Sequence, residues 1–237
     1  MTSSTTKSAY WQGVRDGAPF ILVACPFAML FGVLATEAGL NVFETMAFSI
    51  VVIAGAAQFT ALQLMTENVP TVIVLASALA VNLRMAMYSA SLTPFIGAAR
   101  LWQRAIAAYF LVDQSYACSI VKYETEPGMT LPARMAYFFG TITFVCPSWY
   151  IFTLVGALIG EQISAEIPLD FALPITFLAL ITPMLRTAAH VVAAVVAIFV
   201  ALLAVDVPYN LGLIIAGFAG MLSGAQTELW LDRKAAS

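Results

Sequence analysis

Apolar residues occur along the chain in long runs, and the short segments between the runs carry most of the charged side chains. A helix that crosses a bilayer core of about 30 Å needs about 20 predominantly apolar residues. Runs of this kind predict eight membrane-spanning helices, near residues 17–36, 44–66, 70–93, 104–121, 133–159, 169–185, 187–205 and 209–226. We therefore predict an all-α, polytopic membrane helical bundle that forms one transmembrane domain over residues 1–237.

The composition agrees with a membrane protein, because 62% of the 237 residues are hydrophobic, 10% are charged and the mean hydropathy is +0.93. A soluble domain has about 25% charged residues. The apolar composition therefore indicates the lipid bilayer as the environment. The net charge of −3 offers no basic surface for nucleic acid, so we do not expect nucleic-acid binding. The three cysteines lie in apolar runs without C-x-x-C spacing, and we predict neither a metal nor a cofactor.

Lys and Arg concentrate in cytoplasmic loops of membrane proteins, and this bias predicts the orientation. The segments near 37–44, 160–170 and 206–209 contain acidic residues but no Lys or Arg, so we expect them outside, with both termini in the cytoplasm. Arg100 and Arg104 would then lie on the wrong side. One re-entrant segment between residues 44 and 121 would move them inside, but it would also reverse every later helix unless a second break compensates, so we keep eight crossings.

Two further patterns suggest a transporter with interrupted helices. Cys25-Pro26 followed by Gly39 recurs as Cys146-Pro147 followed by Gly160, which suggests four-helix repeats at about 14–121 and 133–228. Repeats and broken helices are common in secondary transporters. Prolines in or beside apolar runs could kink or break these helices, or could reflect only the greater frequency of proline in membrane helices: Pro19, Pro26, Pro94, Pro147, Pro174 and Pro183.

Arg84 is the most costly residue to place in a membrane, at about 2.5–3.5 kcal/mol on insertion scales. Asp113 is the opposite charge at membrane depth, so we predict that the two form a pair. Helical spacing places polar side chains on one face of the third helix: Ser77, Arg84, Tyr88 and Ser91. The same spacing predicts a matching stripe on the fourth helix: Tyr109, Asp113 and Tyr116. The pair could bind cargo, or it could only lock two helices together.

These stripes, together with the amide of Gln58 in the second helix, define the candidate site. The residues predicted to bind substrate or to couple protons are Gln58, Asn82, Arg84, Tyr88, Asp113, Gln114 and Tyr116. A zwitterion needs a donor for its carboxylate and an acceptor for its ammonium group, which these side chains could supply. Asp113 could equally exchange a proton, and Gln58 could equally hydrogen-bond a neighbouring helix.

Several membrane enzymes and cofactor proteins do not fit this set of residues. An aspartyl intramembrane protease needs two deep carboxylates, and a retinal protein needs a lysine within a membrane helix. The single histidine cannot form a bis-histidine haem site. We therefore expect a transporter and not an enzyme. The alternative class of protein is a non-transporting membrane scaffold, in which water would not reach Arg84 and Asp113.

The chain resembles the AzlC family of branched-chain amino acid permeases in four blocks: Gly17-Ala18-Pro19-Phe20 with Phe31-Gly32, Ala54 to Phe59, Val81-Asn82-Leu83-Arg84 with Tyr88 to Leu92, and Leu169 to Pro174. The resemblance implies an exporter of valine, leucine, isoleucine and methionine in a bacterial inner membrane. It also implies a small AzlD-type membrane subunit as partner. Formation of a homo-oligomer is compatible with the resemblance. Two positions depart from the family pattern: Met85 stands where the family often has histidine, and Val112-Asp113-Gln114 replaces Thr-Asp-Glu.

Overall fold

The computed structural model describes residues 5–162, 185, 187–205, 207 and 211–235, and these residues form helices without any strand. Their contacts define two compact units. Unit 1 contains the described residues of 1–66 and 81–167, and unit 2 contains those of 67–80 and 168–237. The boundaries of the units do not coincide with the predicted repeats, and the repeats stay a prediction.

The helices are α1 (Thr6–Gly17), α2 (Ile21–Glu37), α3 (Val42–Val51), α4 (Gly55–Thr66), α5 (Thr71–Ile96), α6 (Leu101–Tyr109), α7 (Asp113–Thr125), α8 (Leu131–Ile142), α9 (Val145–Gly160), α10 (Ala188–Leu203) and α11 (Leu211–Ala235). A 3-10 turn, Ala18–Phe20, joins α1 to α2.

Three described stretches are long and apolar enough to cross a membrane: Thr6–Glu37, Thr71–Ile96 and Leu131–Gly160. They contain, or nearly coincide with, the predicted spans near 17–36, 70–93 and 133–159. Helices α10 and α11 match the predicted spans near 187–205 and 209–226, and the span near 169–185 lies almost wholly outside the described residues.

Besides the span near 133–159, which is interrupted at residues 143–144, two predicted spans are each divided into two short helices. The span near 44–66 is broken at residues 52–54, and the span near 104–121 is broken at residues 110–112. Neither break contains a proline. Val52 and Val112 instead adopt non-helical backbone angles, with φ of −119° and −124°.

Proline does not break the helix at Pro26 or Pro94, which lie inside continuous helices. A membrane helix tolerates proline where neighbouring groups satisfy the freed carbonyl. Pro19 lies in the 3-10 turn and Pro147 in the first turn of α9, just after the interruption at residues 143–144. Pro174 and Pro183 lie outside the described residues.

The pairs α1/α8 and α2/α9 pack closely and in parallel. A Cβ atom added to Gly13 would collide with the carbonyl of Tyr137, and one added to Gly17 would collide with the carbonyl of Thr141. A step of four residues along α1 thus moves the contact four residues forward along α8, so the helices run in the same direction. A single re-entrant segment between residues 44 and 121 would make them antiparallel, and is excluded. The second pair packs in the same way, through Gly32, Gly156 and Gly160.

Helices α6 and α7 form a hairpin within unit 1. Arg84 of α5 contacts Asp113 at the start of α7, and the ring of Phe95 lies 5.5 Å from that of Tyr123 near its end. Helix α7 therefore runs parallel to α5. Since α6 starts next to the end of α5 and leads to the start of α7, it runs in the opposite direction. The predicted fourth span is thus a helical hairpin rather than one straight helix.

The core of unit 1 surrounds the turn of this hairpin. Leu111, in the turn, is buried in one apolar cluster with Phe138 and Ile142 of α8 and Cys146 of α9. Burying these side chains stabilises the folded chain only where packing with neighbouring helices is close, because lipid is as apolar as the side chains themselves. The cluster therefore holds the turn in place chiefly through close packing.

Candidate functional site

The predicted pair of Arg84 and Asp113 is present, with Nη2 of the arginine 3.2 Å from Oδ2 of the aspartate. The two side chains are 26% and 44% exposed, so neither is sealed inside unit 1. Asp113 is the first residue of α7, where the helix dipole favours a negative charge. The start of α7 is also held by Ser115, whose Oγ accepts a hydrogen bond from the Val112 amide.

Two tyrosines extend the pair into a connected polar group. Tyr88 Oη donates a hydrogen bond to Asp113 Oδ1 at 3.0 Å. The rings of Tyr88 and Tyr116 are stacked, with centroids 4.1 Å apart and an angle of 9° between their planes. Tyr116 Oη donates to Ser91 Oγ at 3.1 Å. The predicted pairing of Arg84 with Asp113 is confirmed, and Tyr88 and Ser91 of the same predicted stripe also contact α7.

Replacing Tyr88 with phenylalanine removes the hydrogen bond to Asp113 and keeps the stacked ring. A hydrogen bond to a charged group contributes about 1.5–3 kcal/mol, so the melting temperature in detergent is expected to fall by several degrees. The matched variant, Tyr116→Phe, removes a bond to a neutral hydroxyl and should lower the melting temperature less. Equal losses in the two variants would contradict a charged acceptor.

The predicted stripe on the fourth helix is wrong for Tyr109. The chain leaves the helix at residues 110–112, so Tyr109 ends α6 while Asp113 begins α7. Tyr109 Oη instead donates a hydrogen bond to the Ile50 carbonyl at 2.7 Å and lies 3.0 Å from Tyr150 Oη. Ile50 is next to the last residue of α3, so the ends of α3 and α6 meet at this tyrosine.

The remaining predicted residues do not join the hydrogen bonds around Asp113 that the structure describes. Gln58, the fourth residue of α4, is completely buried. Neither the nitrogen nor the oxygen of its side-chain amide has a hydrogen-bond partner. Asn82 Oδ1 and Arg84 Nε are also buried without a partner. Gln114 is partly buried in the first turn of α7. Buried polar atoms without partners are unusual and costly, which marks these positions as candidates for ligand contacts.

A second polar group, at the end of α3, was not predicted. Trp149 Nε1 donates a hydrogen bond to Ser49 Oγ at 3.0 Å, and Ser49 Oγ lies 3.3 Å from Thr153 Oγ1. These residues are about 100 positions apart in sequence, so no local spacing reveals the contact. The only available signal was the presence of hydroxyl side chains within apolar runs.

The chemistry of the site is that of a polar recognition group in an apolar surrounding. A carboxylate, a guanidinium group and two phenols lie together, and they can both donate and accept hydrogen bonds. Among the residues that the structure describes, no three His, Cys, Asp or Glu side chains converge as metal ligands would. The group is suited to a small molecule that carries both charges, or to a proton.

A family profile described as AzlC protein matches residues 19–163. The inner membrane protein YgaZ of Escherichia coli is 25% identical over 178 residues, which cover 73% of this chain and 71% of that protein. An uncharacterized membrane protein of Archaeoglobus fulgidus is 31% identical over 234 residues, which cover 95% and 99% of the two chains. No solved structure matches. The profile covers more than half of a chain that has the predicted all-helical membrane architecture, and the chain belongs to the AzlC family of membrane proteins.

Proposed function

We propose that the protein is the large subunit of a transporter that exports valine, leucine, isoleucine and methionine across a bacterial inner membrane, driven by the proton gradient. Membership of the AzlC family supports transport of branched-chain amino acids. The single observation that carries the proposal is the partly exposed pair of Arg84 and Asp113, near the middle of α5. Charged residues at membrane depth usually mark a substrate or ion pathway.

The group around Asp113 has the complementarity that a zwitterion requires. Arg84 can donate to the substrate carboxylate, and Asp113 can accept from its ammonium group. The stacked rings of Tyr88 and Tyr116 offer an apolar surface for an aliphatic side chain. The same carboxylate can take up a proton when the substrate leaves, which would couple export to proton entry.

The alternative is a membrane scaffold in which the ion pair only joins α5 to α7. A structural pair is expected to be dry, because water weakens the attraction between the charges. The exposed fraction of Asp113, 44%, favours a group that solvent or substrate can reach. Burying an ion pair also brings little net stability compared with apolar residues of similar volume.

Efflux of labelled leucine and valine from membrane vesicles tests the proposal. We expect efflux that requires the protein and accelerates when a proton gradient is imposed, whereas labelled lysine, which lacks an apolar side-chain end, should be retained. Leucine efflux equal to that of vesicles without the protein would leave the scaffold as the better assignment.

The small AzlD-type subunit is a second part of the proposal, and rests on the family resemblance. Helices α10 and α11 expose large apolar side chains that lipid or a partner helix could cover, including Val195, Ile198 and Phe218. We expect that co-expression of the two subunits raises leucine efflux severalfold above that of this chain alone. If the purified chain alone transports at the rate of the co-purified pair, the subunit is not required.

A further inference from the structure

We propose that residues 42–66 and 101–125 are re-entrant hairpins that enter the bilayer from opposite faces, and that their meeting tips form the substrate site. In this site the Gln58 amide and the start of α4 hold the substrate α-carboxylate. The first tip is defined as residues 50–55 and the second as residues 109–113. The hairpin geometry is independent of the proposed function, whereas the identity of the ligand rests on it.

The two ends of unit 1 differ in charge. One end, where α1 and α8 begin, is called the basic end, and the other, where α2 and α9 finish, the acidic end. Among the described residues, every Lys and Arg of unit 1 except Arg84 lies in the half toward the basic end: Lys7, Arg15, Arg100, Arg104, Lys122 and Arg134. The acidic end carries Glu37, Glu44 and Glu161. The positive-inside bias therefore places the basic end in the cytoplasm.

The hairpin of α6 and α7 starts and ends at the basic end. Arg134, in the first turn of α8, donates hydrogen bonds to the carbonyls of Phe95, at the end of α5, and Pro127, just after α7. Arg100 precedes α6 directly and so lies at the same end. The hairpin thus removes the conflict that Arg100 and Arg104 cause in a bundle of eight straight crossings.

The hairpin of α3 and α4 starts and ends at the acidic end. Helix α3 begins after α2 with a capping box between Asn41 and Glu44. Phe48 of α3 and Phe59 of α4 both pack on the ring of Phe31, each with centroids 5.6 Å apart. In one straight helix these two residues would be about 16 Å apart along the axis.

The direction of α5 supports the same conclusion. Residues 81–96 of α5 run toward the basic end, because Phe95 lies there while Arg84 pairs with the second tip. The chain must therefore enter this stretch from the acidic side. Since α2 also finishes at the acidic end, the segment between them enters and leaves on one face. Two opposite hairpins keep α1/α8 and α2/α9 parallel, as observed.

The tips of the two hairpins touch. The hydrogen bond from Tyr109 to the Ile50 carbonyl joins the end of α6 to the end of α3. The second half-helix of each hairpin, α4 or α7, begins at its tip, and a helix start carries partial positive charge. Helix α7 begins with Asp113, whereas α4 has no acidic residue in its first turn. The first tip is therefore the one that favours an anion.

Gln58 adds an independent observation at the first tip. Its amide is fully buried and both polar atoms lack partners. Helical side chains lean toward the start of their helix, so this amide lies over the first turn of α4. The amide can donate to a carboxylate together with free N–H groups of that turn. Asp113 in the second tip then accepts from the ammonium group of the same molecule.

Cysteine labelling tests the hairpins. In a background with Cys25, Cys118 and Cys146 replaced by alanine, single cysteines are placed at Glu67 and Ala98. A membrane-impermeant maleimide should label Glu67→Cys from outside intact cells, and Ala98→Cys only in inverted vesicles. Leu40→Cys and Gly128→Cys are controls that both arrangements place outside and inside, respectively. Eight straight crossings require the reverse pattern at 67 and 98, and that pattern would overturn the hairpins.

Ligand discrimination tests the carboxylate subsite. Leucine and leucinamide share a side chain and an ammonium group, but only leucine has a carboxylate. Gln58→Leu should weaken leucine binding about 10- to 100-fold and leave leucinamide binding unchanged. Gln63→Leu, at an exposed glutamine of the same helix, should change neither, and melting temperatures check folding.

The outcomes separate the subsite from the proposed function. Unchanged leucine binding in Gln58→Leu, or an equal loss for both ligands, overturns the subsite alone. A wild-type protein that does not bind leucine overturns both the subsite and the proposed function, whereas the labelling pattern still decides the hairpins.

Discussion

Replacing Asp113 with asparagine is expected to lower leucine efflux about 100-fold, because truncating one member of a hydrogen-bonded charge pair costs a few kcal/mol of binding or activation free energy. Asparagine keeps the shape of the side chain and can still accept from Tyr88, but it can neither bind a proton nor carry the charge that attracts an ammonium group. Efflux from vesicles measures the change. Because the pair is partly exposed, the melting temperature should fall by only a few degrees.

The matched variants are Arg84→Gln and the double variant, measured for efflux and for melting temperature in detergent. If the pair acts in transport, the double variant stays inactive even where its stability recovers. Near-normal efflux in Asp113→Asn, with stability lost and then restored in the double variant, would instead assign the pair to structure.

Replacing Gly156 with alanine is expected to destabilise unit 1 strongly. A Cβ atom at this position would collide with the carbonyl of Met29, which belongs to the backbone of α2 and cannot move aside. The helices must then separate, at a cost of about 1–3 kcal/mol, and the melting temperature should fall by several degrees.

Gly217→Ala is the matched control for this change. Gly217 also lies in a helix, but a Cβ atom there would meet no atom within 4 Å. Alanine at this position should leave the melting temperature unchanged or raise it slightly, because alanine favours helix. Equal losses at the two positions would show that the close approach of α2 and α9 does not hold the unit together.

The ion pair and the polar face of α5 could be predicted from sequence because both follow from local rules. Helical spacing places Arg84, Tyr88 and Ser91 on one face, and the cost of a charge in lipid demands a partner for Arg84. Few acidic residues lie at membrane depth, so Asp113 could be predicted as the partner of Arg84. These predictions needed no knowledge of how the helices pack.

The sequence allowed re-entrant segments but could not favour them over straight crossings, because the two halves of each hairpin together are as long and as apolar as one crossing. Residues 44–66 and 104–121 satisfy the length rule, and neither break contains a proline or a glycine. The turn at residues 110–112 is held by tertiary packing, because Leu111 is buried in the apolar cluster that also contains Ile142 and Cys146. The one sequence signal was the position of Arg100 and Arg104, which a bundle of eight crossings placed on the wrong side.

Proton movement driven by leucine is the most direct measurement of the central claim, that Asp113 carries proton-coupled export of branched-chain amino acids. The chain and the proposed AzlD-type subunit are reconstituted into liposomes that contain a pH-sensitive dye, and a leucine gradient is imposed. We expect leucine flow to be accompanied by opposite proton flow in the wild-type protein, and both flows to be lost in Asp113→Asn. Leucine flow without proton flow, or equal flows in wild type and Asp113→Asn, would contradict the claim.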